Sequence, residues 1–441
     1  MFQRSARSLL LAPIVWSMLS VVTSAENWWQ FRGPEGGHVR NANVPTTWDG
    51  FLFDPVWKSE VPGKGWSSPI IIEDTIWLTS AEEVALEDSK VAERLSELKF
   101  GSVDIVANAA VSLFALKLDA NTGELLQRID LFEHVDPPPI HRMNSYASPT
   151  PVTDGETVIC HYGALGTACI EAETGKVLWK RELFVDELTG GAGSPVLKGN
   201  DVYLAFDGTD EQYVTALDKR TGETRWRTDR PEISVAEDSL RRSFSTPLLV
   251  ESDGRSQLIS LAAQWLVSYN PVDGSEWWRA KVGAGYSCVP TPVVSEGHVF
   301  VCTGFTSPEL VAVDIHGEGD VTDTAIAWRH TSQVPEISSP IVVEKEIYFV
   351  STNGIATCLD IDNGQMHWRQ RIGGHFAASP TYADGRIYIT SSGGVTTVIQ
   401  PGREYKELAK NELFGETYAS LAVYKDNFLL RTNPYLFRLS K

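Results

Sequence analysis

Residues 63–72 read Gly-Lys-Gly-Trp-Ser-Ser-Pro-Ile-Ile-Ile, a turn, a Ser-Pro pair and an apolar run that together return along the chain. The returns are Tyr146-Ala147-Ser148-Pro149, Ala192-Gly193-Ser194-Pro195, Phe244-Ser245-Thr246-Pro247, Val289-Pro290-Thr291-Pro292, Ile337-Ser338-Ser339-Pro340, Ala377-Ala378-Ser379-Pro380 and Tyr418-Ala419-Ser420-Leu421. Successive prolines are separated by 80, 46, 52, 45, 48 and 40 residues. A period of about 40 to 50 residues indicates a repeat protein with one supersecondary unit per repeat.

Each repeat continues with the same series of short strands and turns. The first apolar strand ends in a polar or glycine turn such as Asp154-Gly155, and a second strand follows, as at residues 347–350. A third strand leads to a Thr-Gly, Asn-Gly or Asp-Gly turn. The fourth strand carries a tryptophan, namely Trp179, Trp226, Trp278, Trp328 or Trp368. Short strands at this spacing favour four-stranded antiparallel sheets, and such a repeat without helices predicts a β-propeller blade.

The number of repeats predicts an all-β fold, an eight-bladed β-propeller that forms a single domain over residues 26–441. The last repeat, from residue 419, has room for only three strands, whereas Trp57 lies in an isolated strand-like segment before the first repeat. We therefore expect the segment around Trp57 to supply the outer strand of the last blade and to protect its edge. The outer-strand tryptophans are interpreted as packing residues that fill the wedge between blades.

An insertion interrupts the first blade at about residues 82–99. Val84, Val91, Leu95 and Leu98 recur there at helical spacing with Glu and Lys between them, which predicts a short amphipathic helix. An insertion on one face of a repeat protein often marks the binding side. A decoration without a function fits the same pattern.

Residues 1–25 have the layout of a secretory signal peptide. Arg4 and Arg7 precede an apolar run, and small residues at 23–25 offer a cleavage site. A membrane anchor is the alternative, but the run is short for a span and contains Pro13. We therefore expect export to the periplasm or the extracellular space, no membrane span after removal of the signal, and a monomer. The net charge of −19 argues against nucleic acid as a partner.

Five cysteines are present in a chain that is expected to be exported. Cys160 and Cys169 flank the sequence Gly-Ala-Leu-Gly at residues 163–166 symmetrically, so a hairpin centred there would set them opposite each other. Opposed residues have Cβ atoms roughly 4.5–5.5 Å apart, slightly beyond ideal disulfide geometry. The pattern therefore allows either a disulfide between Cys160 and Cys169 or two buried thiols. Cys288 and Cys302 form a less symmetric pair of the same kind.

Two repeat segments carry a family resemblance. Residues 170–179, Ile-Glu-Ala-Glu-Thr-Gly-Lys-Val-Leu-Trp, and residues 216–226, Ala-Leu-Asp-Lys-Arg-Thr-Gly-Glu-Thr-Arg-Trp, resemble the tryptophan-docking repeat of pyrroloquinoline-quinone-type propellers. Such eight-bladed proteins include quinoprotein alcohol dehydrogenases and a non-enzymatic outer-membrane assembly lipoprotein. Residues 28–34, Trp-Trp-Gln-Phe-Arg-Gly-Pro, and residues 65–69 look like exported PQQ-like repeat proteins of planctomycete-type bacteria. The resemblance covers nearly the whole mature chain and implies the fold, but no particular activity.

A binding site is expected where loops gather around one mouth of the central channel. The loops that enter the innermost strands carry aromatic side chains, namely Trp66, Tyr146, Phe244, Tyr286, Phe376 and Tyr418. These residues predict a stacking surface, with a hydrophobic plug of a narrow axis as the alternative. Polar residues expected on the same face are Arg142, Asn144, Asp207, Asp210 and Arg242. Their charges fit either a ligand site or ion pairs between loops.

Motifs that carry catalysis are not found in the sequence. A quinoprotein oxidoreductase needs a calcium ion held by carboxylate and amide oxygens and, in the dehydrogenases, a ring formed by adjacent cysteines. The chain has no Cys-Cys pair, no matching acidic cluster and no Gly-x-Ser-x-Gly motif. We therefore predict no catalytic residues, metal ligands or cofactor. The predicted function is a non-catalytic binding or scaffold module that takes a protein segment, a glycan or a small ligand. The alternative is a quinoprotein oxidoreductase dependent on pyrroloquinoline quinone and calcium.

Overall fold

The computed structural model describes residues 27–40, 42–48, 55–96 and 104–441. The predicted signal peptide at residues 1–25 lies outside this part of the chain. The described residues form eight four-stranded antiparallel blades in a propeller ring, which confirms the predicted fold and blade number. The first strands of neighbouring blades contact each other, and this places them around the central axis.

Each blade has four strands that follow one another from the axis outward. Blade 1 consists of Ile70–Ile72, Thr75–Ala85, Asn108–Asp119 and Leu125–Val135, and blade 2 of Val152–Thr153, Thr157–His161, Thr167–Glu171 and Val177–Arg181. Blade 3 consists of Val196–Lys198, Asp201–Asp207, Gln212–Asp218 and Thr224–Asp229, and blade 4 of Leu248–Ser252, Arg255–Leu261, Trp265–Tyr269 and Glu276–Lys281. Blade 5 consists of Val293–Ser295, His298–Cys302, Leu310–Asp314 and Ile326–His330, and blade 6 of Ile341–Val343, Glu346–Val350, Ile355–Asp360 and Met366–Arg371. Blade 7 consists of Thr381–Ala383, Arg386–Thr390, Val395–Gln400 and Lys406–Glu412, and blade 8 of Ala422–Tyr424, Asn427–Arg431, Tyr435–Leu439 and Trp57–Glu60.

The ring is closed by the strand Trp57–Glu60. This strand pairs antiparallel with Tyr435–Leu439, so that Trp57 lies opposite Arg438 and Glu60 opposite Tyr435. The predicted closure is therefore confirmed. It joins the two ends of the domain through backbone hydrogen bonds and covers an edge that would otherwise be free to pair with another chain.

Outer-strand tryptophans join six of the eight described blades to the next one, and the outer strands of blades 1 and 7 contain none. The indole Nε1–H of each donates to a backbone carbonyl in a turn of the following blade at 2.7–3.1 Å. The acceptors are Ala120 for Trp57, Lys219 for Trp179, Pro271 for Trp226, Ile315 for Trp278, Ile361 for Trp328 and Gly402 for Trp368. These contacts confirm that the tryptophans serve packing between blades.

Residues 27–40, which we call the N-terminal strap, cross the channel against the innermost strands. The carbonyls of Trp28 and Trp29 accept hydrogen bonds from blades 1 and 2, each at 2.9 Å. Arg32 donates to the carbonyl of Pro340 before blade 6 at 2.8 Å. His38–Val39 then adds a short parallel strand to blade 7. The strap therefore ties together blades on opposite sides of the ring.

The insertion in blade 1 differs from its predicted bounds of 82–99. Residues 82–85 continue the second strand because they pair with the third strand of the blade. The helix itself is Asp88–Ser96, and residues 97–99 lie outside the described residues. Three further short elements occur: a pair of strands, Ile105–Val106 with Ile140–His141; the strand Gly319–Asp320 beside blade 4; and a 3₁₀ helix at Asp238–Arg241.

Of the two alternatives for Cys160 and Cys169, a disulfide or two buried thiols, the structure has two buried free thiols. Cys160 lies opposite Ala168 and Cys169 opposite Ile159, an offset of one residue that turns the two side chains to opposite faces of the sheet. Cys160 therefore packs between blades 1 and 2, and Cys169 between blades 2 and 3. Burial raises the pKa of the Cys169 thiol to about 12, so it stays protonated at neutral pH. Cys288 and Cys302 are also buried free thiols.

Candidate functional site

The Ser or Thr that precedes each innermost strand belongs to a ring of hydrogen bonds around the axis. We call this the hydroxyl ring, and its members are Ser68, Thr150, Ser194, Thr246, Thr291, Ser339, Ser379 and Ser420. At seven steps the backbone N–H of one member donates to the hydroxyl of the next at 2.9–3.1 Å. No such bond is found from Thr246 to Thr291 in this described part of the chain, and the Thr291 hydroxyl is buried without a partner.

The ring corrects the alignment of the second repeat. Its member in blade 2 is Thr150, which precedes Pro151, and not Ser148, which precedes Pro149. Two Ser/Thr-Pro pairs stand in succession at this point, and only the hydrogen bonds to the neighbouring blades decide which one enters the strand. Tyr146 is therefore four residues before the ring and not two, so it does not share the position of Trp66.

A cavity of about 390 Å³ lies beside the hydroxyl ring, and we call it the mouth cavity. The residue two positions before each ring member contributes to its wall, namely Trp66, Ser148, Ala192, Phe244, Val289, Ile337, Ala377 and Tyr418. Tyr286 and Phe305 from blade 5 add two more aromatic rings. Phe31 of the strap lines both this cavity and a larger one of about 850 Å³ along the innermost strands, so it lies between them.

The aromatic and polar parts of the mouth cavity are distinct. The rings of Trp66 and Tyr418 lie 4.7 Å apart between centroids, while His141, Asn144, Thr189 and Arg242 form a polar group in the same lining. The Asn144 amide donates to the carbonyls of Thr189 and Gly190, both at 3.0 Å, and so holds the loop that carries Thr189.

Arg242 carries the positive charge of the cavity. Burial and then the charges of Arg242 and Arg142 lower the pKa of His141, against the opposing effect of Asp104, so this imidazole is neutral at pH 7. Burial raises the pKa of Tyr418 to about 12, so its phenol is neutral as well. The described residues of the wall therefore combine an apolar, aromatic surface with a single guanidinium.

Three of the predicted site residues lie elsewhere. Tyr146 is buried and its hydroxyl donates to the carbonyl of Pro138 at 2.8 Å. Phe376 is 1% exposed and packs in the core shared by blades 6 and 7. Arg142 is exposed and pairs with Asp104 at 2.8 Å. None of the three is part of the cavity wall.

The two predicted aspartates also have structural partners. Asp207 is buried in a bidentate ion pair with Arg230, at 2.9 and 2.8 Å, and both side chains are 1% exposed. Asp210 accepts hydrogen bonds from the backbone N–H groups of Asp186 and Glu211. For these residues, pairing within the protein describes the geometry better than a ligand site does.

The lining residues do not fit a quinone held by calcium. Calcium is bound by several oxygen ligands, chiefly carboxylates, and no Asp or Glu is found among the described residues of the cavity wall. The Asn144 side-chain oxygen already accepts hydrogen bonds from Ser145 and Ser148. Elsewhere in the described residues, no group of three or more His, Cys, Asp or Glu side chains is placed to hold a metal ion. No helix in the described ranges is long and apolar enough to span a bilayer.

Several lining residues were missed by the sequence reasoning. Phe31, Phe305 and Thr189 stand in segments that are distant in the sequence from the repeat motif. The hydroxyl ring itself had a signal, since a Ser or Thr precedes proline in nearly every repeat. Only its role as a connection between blades required the structure.

The described residues define an eight-bladed β-propeller with a cavity beside the hydroxyl ring whose lining includes several aromatic side chains. The chain matches the family model described as outer membrane protein assembly factor BamB over residues 115–327 and 319–402, more than half of its length. It therefore belongs to this family of PQQ-like β-propellers.

Two curated relatives carry the same description. BamB of Yersinia pestis is 26% identical over 256 residues, which cover 52% of this chain and 59% of the relative. BamB of Moranella endobia (strain PCIT) is 23% identical over 285 residues, which cover 59% of this chain and 66% of the relative. The matched part thus spans less than two thirds of either relative.

Solved structures agree on the fold. The crystal structure of BamB from Moraxella catarrhalis superposes with a TM-score of 0.56 at 12% identity, covering 87% of this chain and 98% of that chain. The computationally designed Ika8 protein superposes with a TM-score of 0.54 at 13% identity and the same coverage. At this level of identity the likeness concerns the fold alone.

Proposed function

We propose that this protein is an exported, non-catalytic binding or scaffold module that holds its ligand at the mouth cavity. The ligand is a segment of a protein, a glycan or another small molecule. Export is supported by the signal-like pattern of residues 1–25 and by relatives that are named for the outer membrane. Their name, assembly factor, supports a role in holding other proteins.

The observation that carries the proposal is the composition of the cavity wall. Ligand sites are concave, have volumes of roughly 300–1,000 Å³, and combine apolar walls with a few polar groups. The mouth cavity, at about 390 Å³, has this form. Most of its wall comes from loops rather than strands, and loops on a rigid scaffold are the common location of binding residues.

Aromatic substitutions test the proposal. Purified protein is incubated with arrays of short peptides and of glycans, and Trp66→Ala and Tyr418→Ala are compared with the wild type. We expect both variants to lose at least tenfold in affinity for any ligand that the wild type captures. Trp29→Ala, which removes a 44% exposed tryptophan of the strap, is the matched control and should bind normally. If all three folded variants capture the ligand as the wild type does, the ligand does not bind at the mouth cavity.

A second experiment addresses catalysis. Pyrroloquinoline quinone and Ca²⁺ are added to the purified protein, which is then desalted. We expect no retained quinone absorbance and no reduction of an artificial electron acceptor in the presence of alcohols. Retained quinone together with dye reduction would contradict a non-catalytic function.

A further inference from the structure

Arg242 is a buried cation that uses few of its hydrogen-bond donors. The residue is 6% exposed. Its Nε donates to the carbonyl of Ser239 at 2.9 Å, and its Nη1 donates to the Thr189 hydroxyl at 2.8 Å. A guanidinium has five N–H groups and remains charged in proteins. Three of the five therefore have no acceptor among the described residues.

The surroundings of Arg242 contain no negative charge at contact distance. No carboxylate in the described ranges lies within 4.0 Å of its guanidinium, and no Asp or Glu lines the cavity. Burial lowers the pKa of Arg242 more than the charge of Asp186, which acts from a greater distance, raises it. Burying a charge without a counter-ion is costly, so such a group is normally paired.

Three other arginines among the described residues are buried, and their guanidinium groups are compensated to different degrees. Arg32 has one acceptor, the carbonyl of Pro340 at 2.8 Å, and its Nε is buried without a partner. Arg230 has the carboxylate of Asp207 as its bidentate partner. Arg431 has four acceptors, two from Ser67 and one each from Thr79 and Ser80. Arg242, like Arg32, has neither a carboxylate nor a full set of acceptors, and Arg242 is the arginine that lines the mouth cavity in the part of the chain that the structure describes.

We propose that Arg242 receives the carboxylate of a small ligand whose flat, apolar body lies among the aromatic rings of the mouth cavity. The inference rests on the proposed function at this site and adds the chemical class of the ligand. The apolar body of the ligand faces Trp66, Phe244 and Tyr286. Its carboxylate accepts hydrogen bonds from the N–H groups of Arg242 that have no other acceptor. Charge-assisted, bidentate pairs of this kind are about twice as strong as neutral hydrogen bonds and also fix orientation.

Charge and polarity in the wall select for this class. A cationic ligand would meet the guanidinium with no carboxylate to offset it, and a strongly polar sugar would leave hydroxyls unpaired against the aromatic wall. A dicarboxylate would place its second charge among apolar side chains, since His141 is neutral at pH 7. A ligand with one acidic group on an aromatic body matches the lining, because the acid pairs with the guanidinium and the aromatic body packs on the apolar wall.

The test compares an acid with its matched neutral amide. Indole-3-acetate and indole-3-acetamide are titrated into the full chain, and binding is followed by ligand-observed NMR and by quenching of tryptophan fluorescence. We expect the acid to bind at least tenfold more tightly than the amide. Arg242→Gln should reduce this preference to less than about twofold while leaving binding of the amide in place. Arg242→Lys, which keeps the charge, should retain part of the preference, and the exposed Arg371→Gln is the control for loss of a positive charge.

Each outcome bears on the inference. Equal affinity for acid and amide would overturn it, and so would an acid preference that persists in a folded Arg242→Gln variant. If both probes bind equally and both are lost in Trp66→Ala, the cavity binds ligands and only the assigned chemistry is wrong. If neither probe binds the wild type, the inference fails, and the proposed function is then decided by the peptide and glycan arrays.

Discussion

Gly222 is a residue whose lack of a side chain lets two blades meet. It adopts φ +73°, in the left-handed region, and a Cβ atom there would lie 2.7 Å from the ring of Trp179. The neighbouring carbonyl of Lys219 accepts the Trp179 indole N–H at 2.7 Å. Gly274 has the same relation to Trp226, Gly364 to Trp328 and Gly123 to Trp57. The Thr-Gly and Asp-Gly turns thus act as docking surfaces for the tryptophan of the preceding blade.

Substitution of Gly222 should separate this docking from backbone strain. Gly222→Ala adds both a left-handed alanine, which costs about 1–2 kcal/mol, and an overpacked contact, which costs about 1–3 kcal/mol. Gly385→Ala is the matched control, because Gly385 has the same φ of +73° and no atom of the described residues within 4 Å of the place where a Cβ would lie. Denaturant unfolding should show the Gly222 variant to be the less stable of the two. Equal losses would mean that the contact with Trp179 adds nothing.

The strand Trp57–Glu60 is the element that determines whether the ring closes. It pairs with blade 8 through its backbone and contacts blade 1 through side chains. The Trp57 indole donates to the carbonyl of Ala120 at 3.1 Å, and the Ser59 hydroxyl donates to the carbonyl of Gly123 at 2.6 Å. One strand therefore holds the first and the last blade together.

Removal of the Trp57 ring should weaken the closure. Trp57 is 8% exposed, and truncation of a buried tryptophan to alanine typically costs about 3–5 kcal/mol. Trp57→Ala should lower the thermal midpoint, whereas Trp29→Ala should cost less because its ring is 44% exposed. In this variant, the backbone amides of blade 8 should exchange their hydrogens faster than in the wild type. A Trp57→Ala variant as stable as Trp29→Ala would show that the ring does not depend on this closure.

At the scale of the whole molecule, two sets of contacts connect the blades, one around the central axis and one across it. The hydroxyl ring joins neighbouring blades around the axis, and the strap connects blades 1 and 2 to blades 6 and 7 across it. Phe31 separates the mouth cavity from the larger cavity. A residue of the strap therefore forms part of the wall of both cavities.

Global stability should depend on the ionisation of Glu187. This side chain accepts a hydrogen bond from the Ala164 N–H at 3.0 Å, and burial raises the pKa of its carboxyl to about 7, more than its backbone hydrogen bonds lower it. The ordinary value in an unfolded chain is about 4.3. The folded state thus holds the proton more tightly, so the contribution of Glu187 is fully present below about pH 4.3 and is lost as the pH rises to about 7.

The Glu187→Gln variant should reveal this dependence. Relative to the wild type, it should gain stability as the pH rises from about 4.3 to 7, by about 3–4 kcal/mol, and then keep a constant advantage. Denaturant unfolding at a series of pH values measures the difference. Glu182→Gln, in the same segment, controls for the loss of one exposed negative charge. A pH-independent difference between Glu187→Gln and the wild type would contradict the assignment.

Much of the architecture could be predicted because its signals are local and repeated. The Ser/Thr-Pro pairs, the glycine turns and the outer-strand tryptophans all lie within a single blade, so the sequence itself shows their period. Blade number, strand order and closure by Trp57 follow from counting them. The candidate site was predicted in part, since its lining includes Trp66, Phe244, Tyr286, Tyr418, Asn144 and Arg242.

The sequence by itself thus determined the eight blades, their order and the packing role of the outer-strand tryptophans. Only the tertiary structure decided that Thr150 and not Ser148 enters blade 2, that Cys160 and Cys169 face different cores, and that Asp207 is paired with Arg230. It also decided which aromatic rings reach the channel and that Phe31 lies between the two cavities. The physical reason is that the repeat stays recognisable after a small shift: one residue turns a side chain to the other face of its strand, and two residues move it along the same face. Only contacts between blades that are distant in the sequence select the register.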